Sequence, residues 1–470
     1  MVRGLQWCVL IAGGDAVPIR RVSMISFHTC PLASQEGKET GGMNVYVLEL
    51  SKQLSRMGIA VDAFTRSQDD QQPYIVQVNP LFRVIHIPAG PESPVPKKQL
   101  IEYLPEFVAN VEKFIAEQRV EYDVMHCHYY LSGLIGVNLN RCREARGEKP
   151  LPLLMTFHTL ALMKNLVARD ELEREEKERI DAEFDLVQRA DKIIAPSESD
   201  AKYLRFLYQA RDGKVEVIPP GVDVENFKPM ERAIAKAHLG IDPQDHIILF
   251  CGRIEPLKGI DMLLYAMKIL IEKNPSLRVC LWIIGGDVSQ QPEQWSKELQ
   301  KLEKLRHILN LTPVVHFAGQ QLQENLPYYY NAADVVVMPS HYESFGMAAA
   351  EAMACGVPVI TTNVAGISSL IDDIHGLLLT SVNNPLLLAS QMEALLTNPQ
   401  KREQISQNVY QKVQDLNWKN IADRVVSVYE DSLIHDSTPH IQTLAHLPSR
   451  LGDSQQDGVW RQNPYRRNPA

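Results

Sequence analysis

The sequence lacks any apolar run long enough to cross a membrane. A spanning helix needs about 20 consecutive apolar residues, and no stretch of the chain approaches that length. The apolar segment 5–12 is short, follows a single Arg and has no clean small-residue cleavage site after it. We therefore expect neither a membrane span nor a signal peptide. The first strand pattern begins near Arg20, so residues 1–19 are predicted to be an extension outside the fold.

Cysteine pairs at redox or metal spacing are also missing. The seven cysteines are odd in number, scattered and without a C-x-x-C motif, which predicts reduced thiols in a cytoplasmic protein. His126-Cys127-His128 ends an apolar strand pattern, and no second ligand cluster follows at zinc spacing, so we predict no metal. The chain has neither a G-x-G-x-x-G fingerprint nor a P-loop, which disfavours nicotinamide binding and ATP hydrolysis.

There is no excess of positive charge. The 48 basic and 57 acidic side chains give a net charge of −9, which argues against general binding to nucleic acid or anionic membranes but permits a local basic pocket. With 45% hydrophobic and 22% charged residues, the composition is typical of a soluble globular protein. A chain of 470 residues exceeds one hydrophobic core, so two domains are expected.

Short apolar strand patterns alternate with helical periodicity along the chain, as in a doubly wound parallel sheet. Strands are predicted at 21–27, 59–65, 82–87, 123–126, 152–157, 192–195 and 214–218, and again at 246–251, 279–284, 314–317, 334–338 and 357–361. A Pro- and Gly-rich break at 219–229 separates the two series. The fold class is thus α/β, with two Rossmann-like domains facing each other across a cleft.

The predicted domains are 20–225 and 226–417, with the site in the cleft between them; the family resemblance given below puts the acceptor on the side of 20–225 and the nucleotide sugar on 226–417. A final helix at 418–435 could also return to cover the first domain, an alternative that the sequence leaves open. Residues 436–470 are polar and rich in Pro, Gln and Arg, and we expect this tail to be disordered.

The most informative motif is a pair of carboxylates, Glu343 and Glu351, in a strand–loop–helix–strand unit. Such a loop lies at the carboxyl ends of parallel strands, where the helix N-terminus presents free N–H groups. Carboxylates and N–H groups together suit a hydroxyl-rich anion such as a nucleotide sugar. The N–H groups in question belong to Phe345, Gly346 and Met347.

Two further loops follow predicted strands. Gly252-Arg253 and Lys258-Gly259 can aim two cations into the same cleft, where a diphosphate leaving group needs compensation. Two ordinary surface cations are the alternative. Gly41-Gly42-Met43-Asn44 opens a helix and could bring backbone N–H groups to a phosphate, or it could be a flexible loop.

The first half also offers polar groups at strand ends. His158 follows strand 152–157 and could bond a sugar hydroxyl, although a core or capping histidine is the alternative and His126 and His128 compete for the same role. Lys97, Lys98 and Arg179 could meet Thr159 and Tyr129 in a second anion pocket. As isolated residues these cations would be ordinary surface charges.

Together these motifs resemble the retaining GT-B glycosyltransferases of family four, the glycosyl transferases group 1. The likeness covers about residues 20–435 and rests on Gly41-Gly42-Met43-Asn44, His158-Thr159, Pro220-Gly221-Val222-Asp223, Gly252-Arg253 with Lys258-Gly259, and the two glutamates. Within the family, the stretches 24–29, 128–133 and 158–161 are most similar to the enzymes of the mycothiol pathway that act on inositol phosphate, and sucrose-phosphate synthases share much of the framework.

The resemblance implies a nucleotide-sugar donor, with a UDP-sugar favoured and GDP- or ADP-sugars as alternatives. Arg253 and Lys258 would neutralise the diphosphate, Glu351 would hold the ribose, and Gly42 would approach the phosphates. Glu343 with the backbone of Phe345, Gly346 and Met347 would grip the sugar, and His158 would contact it from the acceptor side. Transfer would retain anomeric configuration by front-face attack and would need no metal or other cofactor.

The resemblance also implies a phosphorylated acceptor held by Lys97, Tyr129, Thr159 and Arg179. The partners are thus a sugar nucleotide and a small polyol or sugar, without nucleic acid, and the protein could be a monomer or a homodimer. The N-terminal extension, the polar tail and His341-Tyr342 depart from the inositol-phosphate enzymes. The alternatives are a GT-B sugar-nucleotide epimerase, which needs no acceptor, and a non-catalytic nucleotide-sugar-binding protein.

Overall fold

A computed structural model describes residues 19–33, 41–169, 171–363, 366–369, 377–379 and 383–435. Residues 1–18 of the predicted extension and the whole predicted tail, 436–470, lie outside these ranges. Within the described part of the chain, no helix is both long enough and apolar enough to cross a membrane.

The described residues contain fourteen strands, which form two sheets. The first sheet contains β1 (Arg21–Ile25), β2 (Ala60–Arg66), β3 (Ile75–Asn79), β4 (Phe82–Ile87), β5 (Val124–His128), β6 (Leu153–Thr156), β7 (Lys192–Ala195) and β8 (Val215–Val217). The second contains β9 (His246–Cys251), β10 (Val279–Ile284), β11 (Val315–Gly319), β12 (Val335–Met338), β13 (Val359–Thr362) and β14 (Leu377–Leu379).

Helices connect the strands in both halves. They are α1 (Gly42–Arg56), α2 (Leu104–Gln118), α3 (Tyr129–Ala145), α4 (Ala161–Val167), α5 (Lys177–Arg189), α6 (Glu198–Phe206), α7 (Arg232–His238), α8 (Ile260–Lys273), α9 (Lys297–Ile308), α10 (Leu326–Ala332), α11 (Met347–Ala354), α12 (Pro385–Leu396), α13 (Pro399–Val413) and α14 (Trp418–His435). Short 3-10 helices lie at Lys97–Tyr103, Glu171–Glu173, Pro256–Lys258, Pro292–Gln294, Gly366–Ser369 and Gln414–Leu416.

The twelve predicted strands are all present, with ends shifted by at most two residues, but β3 and β14 were not predicted. β3 is an edge strand, and it runs antiparallel to β4. Its five residues, Ile-Val-Gln-Val-Asn, are exposed or half-buried, as is common for an edge strand.

Each sheet has one switch point, which is a pair of neighbouring strands from which the chain connections run in opposite directions. The first sheet runs β3-β4-β2-β1-β5-β6-β7-β8 and the second β11-β10-β9-β12-β13-β14. The crossovers run outwards in opposite directions from β1 and β5 in the first sheet, and from β9 and β12 in the second. Ligands of doubly wound folds bind at the carboxyl ends of the strands beside such points.

The last helix, α14, packs against α1 of the first sheet. Apolar side chains of both helices share one buried cluster with the first sheet, including Tyr46 and Leu50 of α1 and Val425 and Tyr429 of α14. Gly221, at the end of the first series of strands, lies against Trp418, the first residue of α14. A Cβ at Gly221 would be 2.4 Å from the indole ring of Trp418. The predicted domain boundaries at 225/226 and 417/418 remain predictions.

Candidate active site

A cavity of about 310 Å³ lies where the two switch points face each other. Loops at the ends of β1, β5 and β6 form one wall, and those at the ends of β9 and β12 form the other. All but one of the predicted site residues line it, namely Gly42, Lys97, Tyr129, His158, Thr159, Arg179, Arg253, Lys258, Glu343, Phe345, Gly346 and Met347. The exception is Glu351.

The second-domain wall carries a short ion pair. Lys258 Nζ donates to Glu343 Oε2 at 2.5 Å, although the two residues come from different loops. Gly259 permits this approach because its φ of 65° suits glycine, and a Cβ there would lie 2.2 Å from the Pro339 carbonyl oxygen. Lys258, predicted to neutralise the diphosphate, and Glu343, predicted to hold the sugar, are therefore paired with each other.

Arg253 follows β9 on the same wall. Its Nη1 lies 2.8 Å from Glu255 Oε1, within its own loop, and 51% of the side chain is exposed. The N-terminal segment of α1 lies opposite, since a Cβ at Gly41 would be 3.8 Å from Arg253 Cδ. Arg253 is thus a charged, accessible group between the two domains.

Two helix N-termini meet at this point. Gly346, with φ 98°, precedes α11, and its carbonyl accepts from the N–H groups of Ala349 and Ala350. A Cβ at Gly42, the first residue of α1, would lie 3.2 Å from Met347 Sδ. The first N–H groups of a helix have no intrahelical acceptor, so both helices present donors to an anion in the cavity.

Glu351 lies one helical turn deeper in α11. It is 7% exposed, and its Oε2 accepts a hydrogen bond from the Tyr330 hydroxyl at 2.7 Å. Burial raises the pKa of Glu351 to about 7, although the Tyr330 hydroxyl opposes the shift. The structure does not bring Glu351 into the cavity with the other predicted residues, and its ribose role stays a prediction.

Three histidines were candidates for the same role in the sequence, His126, His128 and His158, and the structure places them in different environments. His126 and His128 are fully buried, whereas His158 lines the cavity. His126 bonds the Tyr429 hydroxyl of α14 at 2.8 Å and Thr156 Oγ1 at 2.9 Å. It is therefore a core residue beneath α14.

His158 has a backbone φ of 61°, a conformation that residues other than glycine adopt at an energetic cost and that is often found at functional sites. Burial lowers its pKa to about 3, so the imidazole is neutral near pH 7. The neutral ring can donate or accept a hydrogen bond to a ligand but carries no charge.

The first-domain wall is a compact basic cluster around Arg179. This guanidinium donates to Glu183 Oε1 at 2.8 Å and to both the Thr159 carbonyl and Oγ1, at 3.0 and 3.1 Å. Its Cζ lies 4.8 Å from the centroid of the Tyr129 ring, and Lys97 Nζ lies 4.1 Å from the same centroid. The four predicted acceptor residues are thus together. Lys98 lies apart from them, 76% exposed and paired with Glu176.

Several lining residues were not predicted as site residues. His28 lines the cavity, with its ring centroid 4.6 Å from that of Tyr129, and Lys164 lines it while bonded to Glu175. His28 follows a predicted strand and Lys164 lies in the helix after β6, but nothing in the sequence showed that these two of many polar residues would converge.

Asp200 also joins the two walls. Its Oδ2 accepts from Ser344 Oγ at 2.5 Å, between α6 and the loop of Glu343. The side chain is buried, and its Oδ1 has no hydrogen-bond partner among the described residues. In the sequence, Ser197 and Asp200 show only a helix start, which Ser197 indeed caps.

Among the described residues, no cluster of three or more His, Cys, Asp or Glu side chains could hold a metal ion. The arrangement suits instead a ligand with a negative charge at each end and hydroxyl groups between. The loops of Arg253 and Lys258 can take one anion, and the cluster around Arg179 can take another. Helix N-termini and His158 lie between the two basic regions.

Two doubly wound parallel sheets facing each other across such a cleft define the GT-B class of glycosyltransferases. The model of Glycosyltransferase Family 4 matches residues 40–226, and that of Glycosyl transferases group 1 matches residues 231–412. The chain belongs to this family of glycosyltransferases, and it is an enzyme of that kind.

Similar proteins align with this chain over most of their own length. A D-inositol 3-phosphate glycosyltransferase of Nocardiopsis dassonvillei is 36% identical over 416 residues, which cover 88% of this chain and 95% of the relative. A sucrose-phosphate synthase structure from Thermosynechococcus elongatus is 32% identical, has a TM-score of 0.79 and covers 88% of this chain and 100% of its own. The Anabaena HepE structure, with 18% identity, TM-score 0.67 and coverage of 88% and 100%, shares the fold.

Proposed function

We propose that this enzyme transfers a hexosyl unit, with retention of configuration, from a nucleoside diphosphate sugar to a hydroxyl of a small phosphorylated polyol or sugar. A UDP-sugar is the favoured donor. The observation that supports the proposal is that two separate groups of basic residues line one cavity. Arg253 and Lys258 lie on one wall, and Arg179 lies with Lys97 on the other.

The leaving diphosphate develops negative charge as its bond to the sugar breaks, so the donor end of the cavity needs positive charge there. Lys258 and Arg253 supply that charge from fixed loop ends, and the N-terminus of α1 adds N–H donors from the opposite side. Glu343 can accept from sugar hydroxyls while its Oε2 stays bonded to Lys258. The backbone N–H groups that begin α11 face the same space.

The chemistry follows from the groups in the cavity. The acceptor hydroxyl attacks the anomeric carbon on the face from which the diphosphate leaves, and the C–O bond to the diphosphate breaks with its electron pair on the phosphate oxygen. That oxygen takes the acceptor proton. No protein nucleophile is required, and the neutral His158 is suited to bonding a hydroxyl rather than to holding a positive charge.

The acceptor end is proposed to bind a phosphate. Arg179 offers a planar guanidinium that matches phosphate geometry, beside the Lys97 ammonium and the Thr159 hydroxyl. Two relatives above 30% identity point the same way by their names, which are D-inositol 3-phosphate glycosyltransferase and sucrose-phosphate synthase. The identity of the polyol or sugar is left to experiment.

The test is a donor screen by thermal shift with UDP-, GDP- and ADP-sugars, followed by product mass with paired phosphorylated and free acceptors. We expect a UDP-sugar to give the largest stabilisation, and a product heavier than the acceptor by one hexosyl residue. NMR of the new glycosidic bond should show the donor's anomeric configuration. An inverted product contradicts the retaining mechanism, and conversion of the donor to its epimer without any acceptor identifies an epimerase instead.

A further inference from the structure

We propose that Met24 and His128 are positioning residues that hold His158 as the Nε2–H tautomer, which leaves its Nδ1 as an acceptor for a hydroxyl of the bound sugar. The ligand in this inference rests on the proposed function. The tautomer itself does not, because it follows from contacts that are present without any ligand.

The first step concerns Met24 in β1 and His128 at the end of β5. Both side chains are fully buried, and Met24 Sδ lies 2.8 Å from His128 Nε2. A thioether sulfur has no hydrogen to donate and can only accept. Two lone pairs would repel each other at this distance, so His128 Nε2 must carry the hydrogen.

The second step follows from the chemistry of a neutral imidazole, which has one N–H group and one bare nitrogen. Burial lowers the pKa of His128 well below its usual value, so the ring is neutral. With the hydrogen on Nε2, His128 Nδ1 is an acceptor. The nitrogen 3.0 Å from it is His158 Nε2, which must therefore donate.

The third step gives the consequence for the cavity. His158 is also neutral, so an Nε2–H group leaves Nδ1 without a hydrogen. Among the described residues, no protein group bonds this Nδ1. The His158 ring lies edge-on to Tyr46, with centroids 5.2 Å apart, which fixes its plane. A hydroxyl is the natural partner for a fixed, bare ring nitrogen in a cavity that takes a sugar.

His126 provides an internal control, because it lies beside this arrangement without taking part in it. Its ring centroid is 4.2 Å from that of His128, yet its two nitrogens bond the Tyr429 hydroxyl and Thr156 Oγ1. Tyr429→Phe removes the hydroxyl that bonds His126. It should therefore disturb His126 beside His128 without changing the tautomer of His158.

The direct test is ¹⁵N NMR of the full chain labelled at histidine, without donor, with the His158 signals assigned by their loss in His158→Gln. We expect a protonated Nε2 and an unprotonated Nδ1, in the wild type and in Tyr429→Phe alike. A protonated Nδ1, an imidazolium or a mixture of tautomers in wild-type protein near pH 7 would overturn the inference. Since no substrate is present, this result stands whatever reaction the enzyme performs.

The functional test compares two substitutions of His128. In His128→Asn an amide oxygen can replace Nδ1 as acceptor, whereas His128→Leu removes the acceptor. We expect His128→Leu to mix the two tautomers of His158 and to lower kcat at least about fivefold, on the scale of one hydrogen bond, with unchanged Kd for the nucleoside diphosphate. His128→Asn should restore most of the rate. Equal rates in wild type and His128→Leu would overturn the positioning role.

Met24→Leu keeps the volume of the core and removes only the thioether acceptor. It should populate both His158 tautomers even if His128→Leu fails to fold, and a single unchanged tautomer in Met24→Leu would remove Met24 from the inference. Failure of wild-type protein to transfer any sugar would instead contradict the proposed function, and the ¹⁵N result would remain.

Discussion

The two walls of the cleft hold their positive charge in different ways. On the first-domain wall, Arg179 is only 4% exposed and is held by Glu183, Glu175 and Thr159. On the facing wall, 51% of the Arg253 side chain is exposed, and its partner Glu255 is two residues away in the same loop. The first-domain wall, which we propose as the acceptor wall, thus holds its main cation in place without a ligand. The second-domain wall, which we propose as the donor wall, leaves Arg253 accessible to a ligand.

This difference has an electrostatic reason. A buried guanidinium needs carboxylate partners to offset its desolvation, and Glu183 and Glu175 supply them beside Arg179. A half-exposed cation such as Arg253 retains water, so it needs fewer partners and can exchange water for a diphosphate. Lys258 is more buried, with 13% of its side chain exposed, and is paired with Glu343. We expect the donor wall to decide the rate and the acceptor wall to decide the choice of acceptor.

The largest expected effect comes from removing a donor-wall cation. Lys258→Ala or Arg253→Ala should lower kcat at least about a hundredfold, the scale of losing one preorganised charge contact in a transition state. Steady-state kinetics with the best donor measures this. The matched control is Lys273→Ala, which breaks an exposed pair with Glu393 of the same 2.5 Å length and should leave kcat unchanged. Near-wild-type transfer by both cleft variants would show that the diphosphate lies elsewhere.

Glu343→Gln should come next, with transfer about thirtyfold slower because the sugar loses a charged acceptor of its hydroxyl hydrogens. Nucleoside diphosphate should bind at least as tightly as to wild type, because Lys258 loses the carboxylate that now bonds it. Kinetics and isothermal titration calorimetry give the two values. A collapse of nucleotide affinity would assign Glu343 to the nucleotide rather than to the sugar.

On the acceptor wall, Arg179→Lys should lower the preference for a phosphorylated over an unphosphorylated acceptor about tenfold, because an ammonium with three hydrogens cannot keep the bonds to Glu183, Glu175 and Thr159 and also reach a phosphate. The donor KM should stay the same. The measurement is kcat/KM for the paired acceptors. Arg189→Lys, an exposed arginine of the same helix paired with Asp185, is the control. A change in donor KM with unchanged acceptor preference would reverse the roles of the two walls.

The smallest effect concerns Asp200, which connects the walls through Ser344. Burial raises the pKa of Asp200 to about 7 in the folded protein, above its value in an unfolded chain. Its protonated form is therefore favoured by folding, and stability is lost as pH rises from the unfolded pKa through the folded one. Between pH 5 and pH 6 this loss is about 1 kcal/mol.

Asp200→Asn cannot ionise, so its free energy of unfolding should fall by about 1 kcal/mol less than that of wild type between these pH values. Chemical denaturation at the two pH values measures the difference. Asp70→Asn, at an exposed position, should follow the wild type. An Asp200→Asn variant with the wild-type pH dependence would mean that Asp200 is ionised in the folded protein throughout this range.

Much of this molecule was predictable because its strands are buried and its site residues follow them. The predicted strand ends at 251 and 338 lead directly into the loops of Arg253 and Glu343, and the parallel-sheet rule puts both in a cleft. By contrast, β3 was not predicted, because it is a short, half-exposed edge strand that runs antiparallel to β4 and so departs from the βαβ alternation. Glu351 was grouped with Glu343 because both lie in one strand–loop–helix unit and match the family motif, but its side chain lies one helical turn deeper in α11, bonded to Tyr330.

Periodicity and neighbouring turn residues were enough to infer three features from the sequence: the alternation of strands and helices, the break near 219–229 and the charged groups at strand ends. Which of those groups contact each other is known only from the folded chain. Lys258 and Glu343 are 85 positions apart, Asp200 and Ser344 are 144 apart, and His126 and Tyr429 are 303 apart. Such pairs form because the two sheets and α14 pack in one particular arrangement. The spacing of residues along the chain does not reveal that arrangement, so these pairs could not be predicted from it.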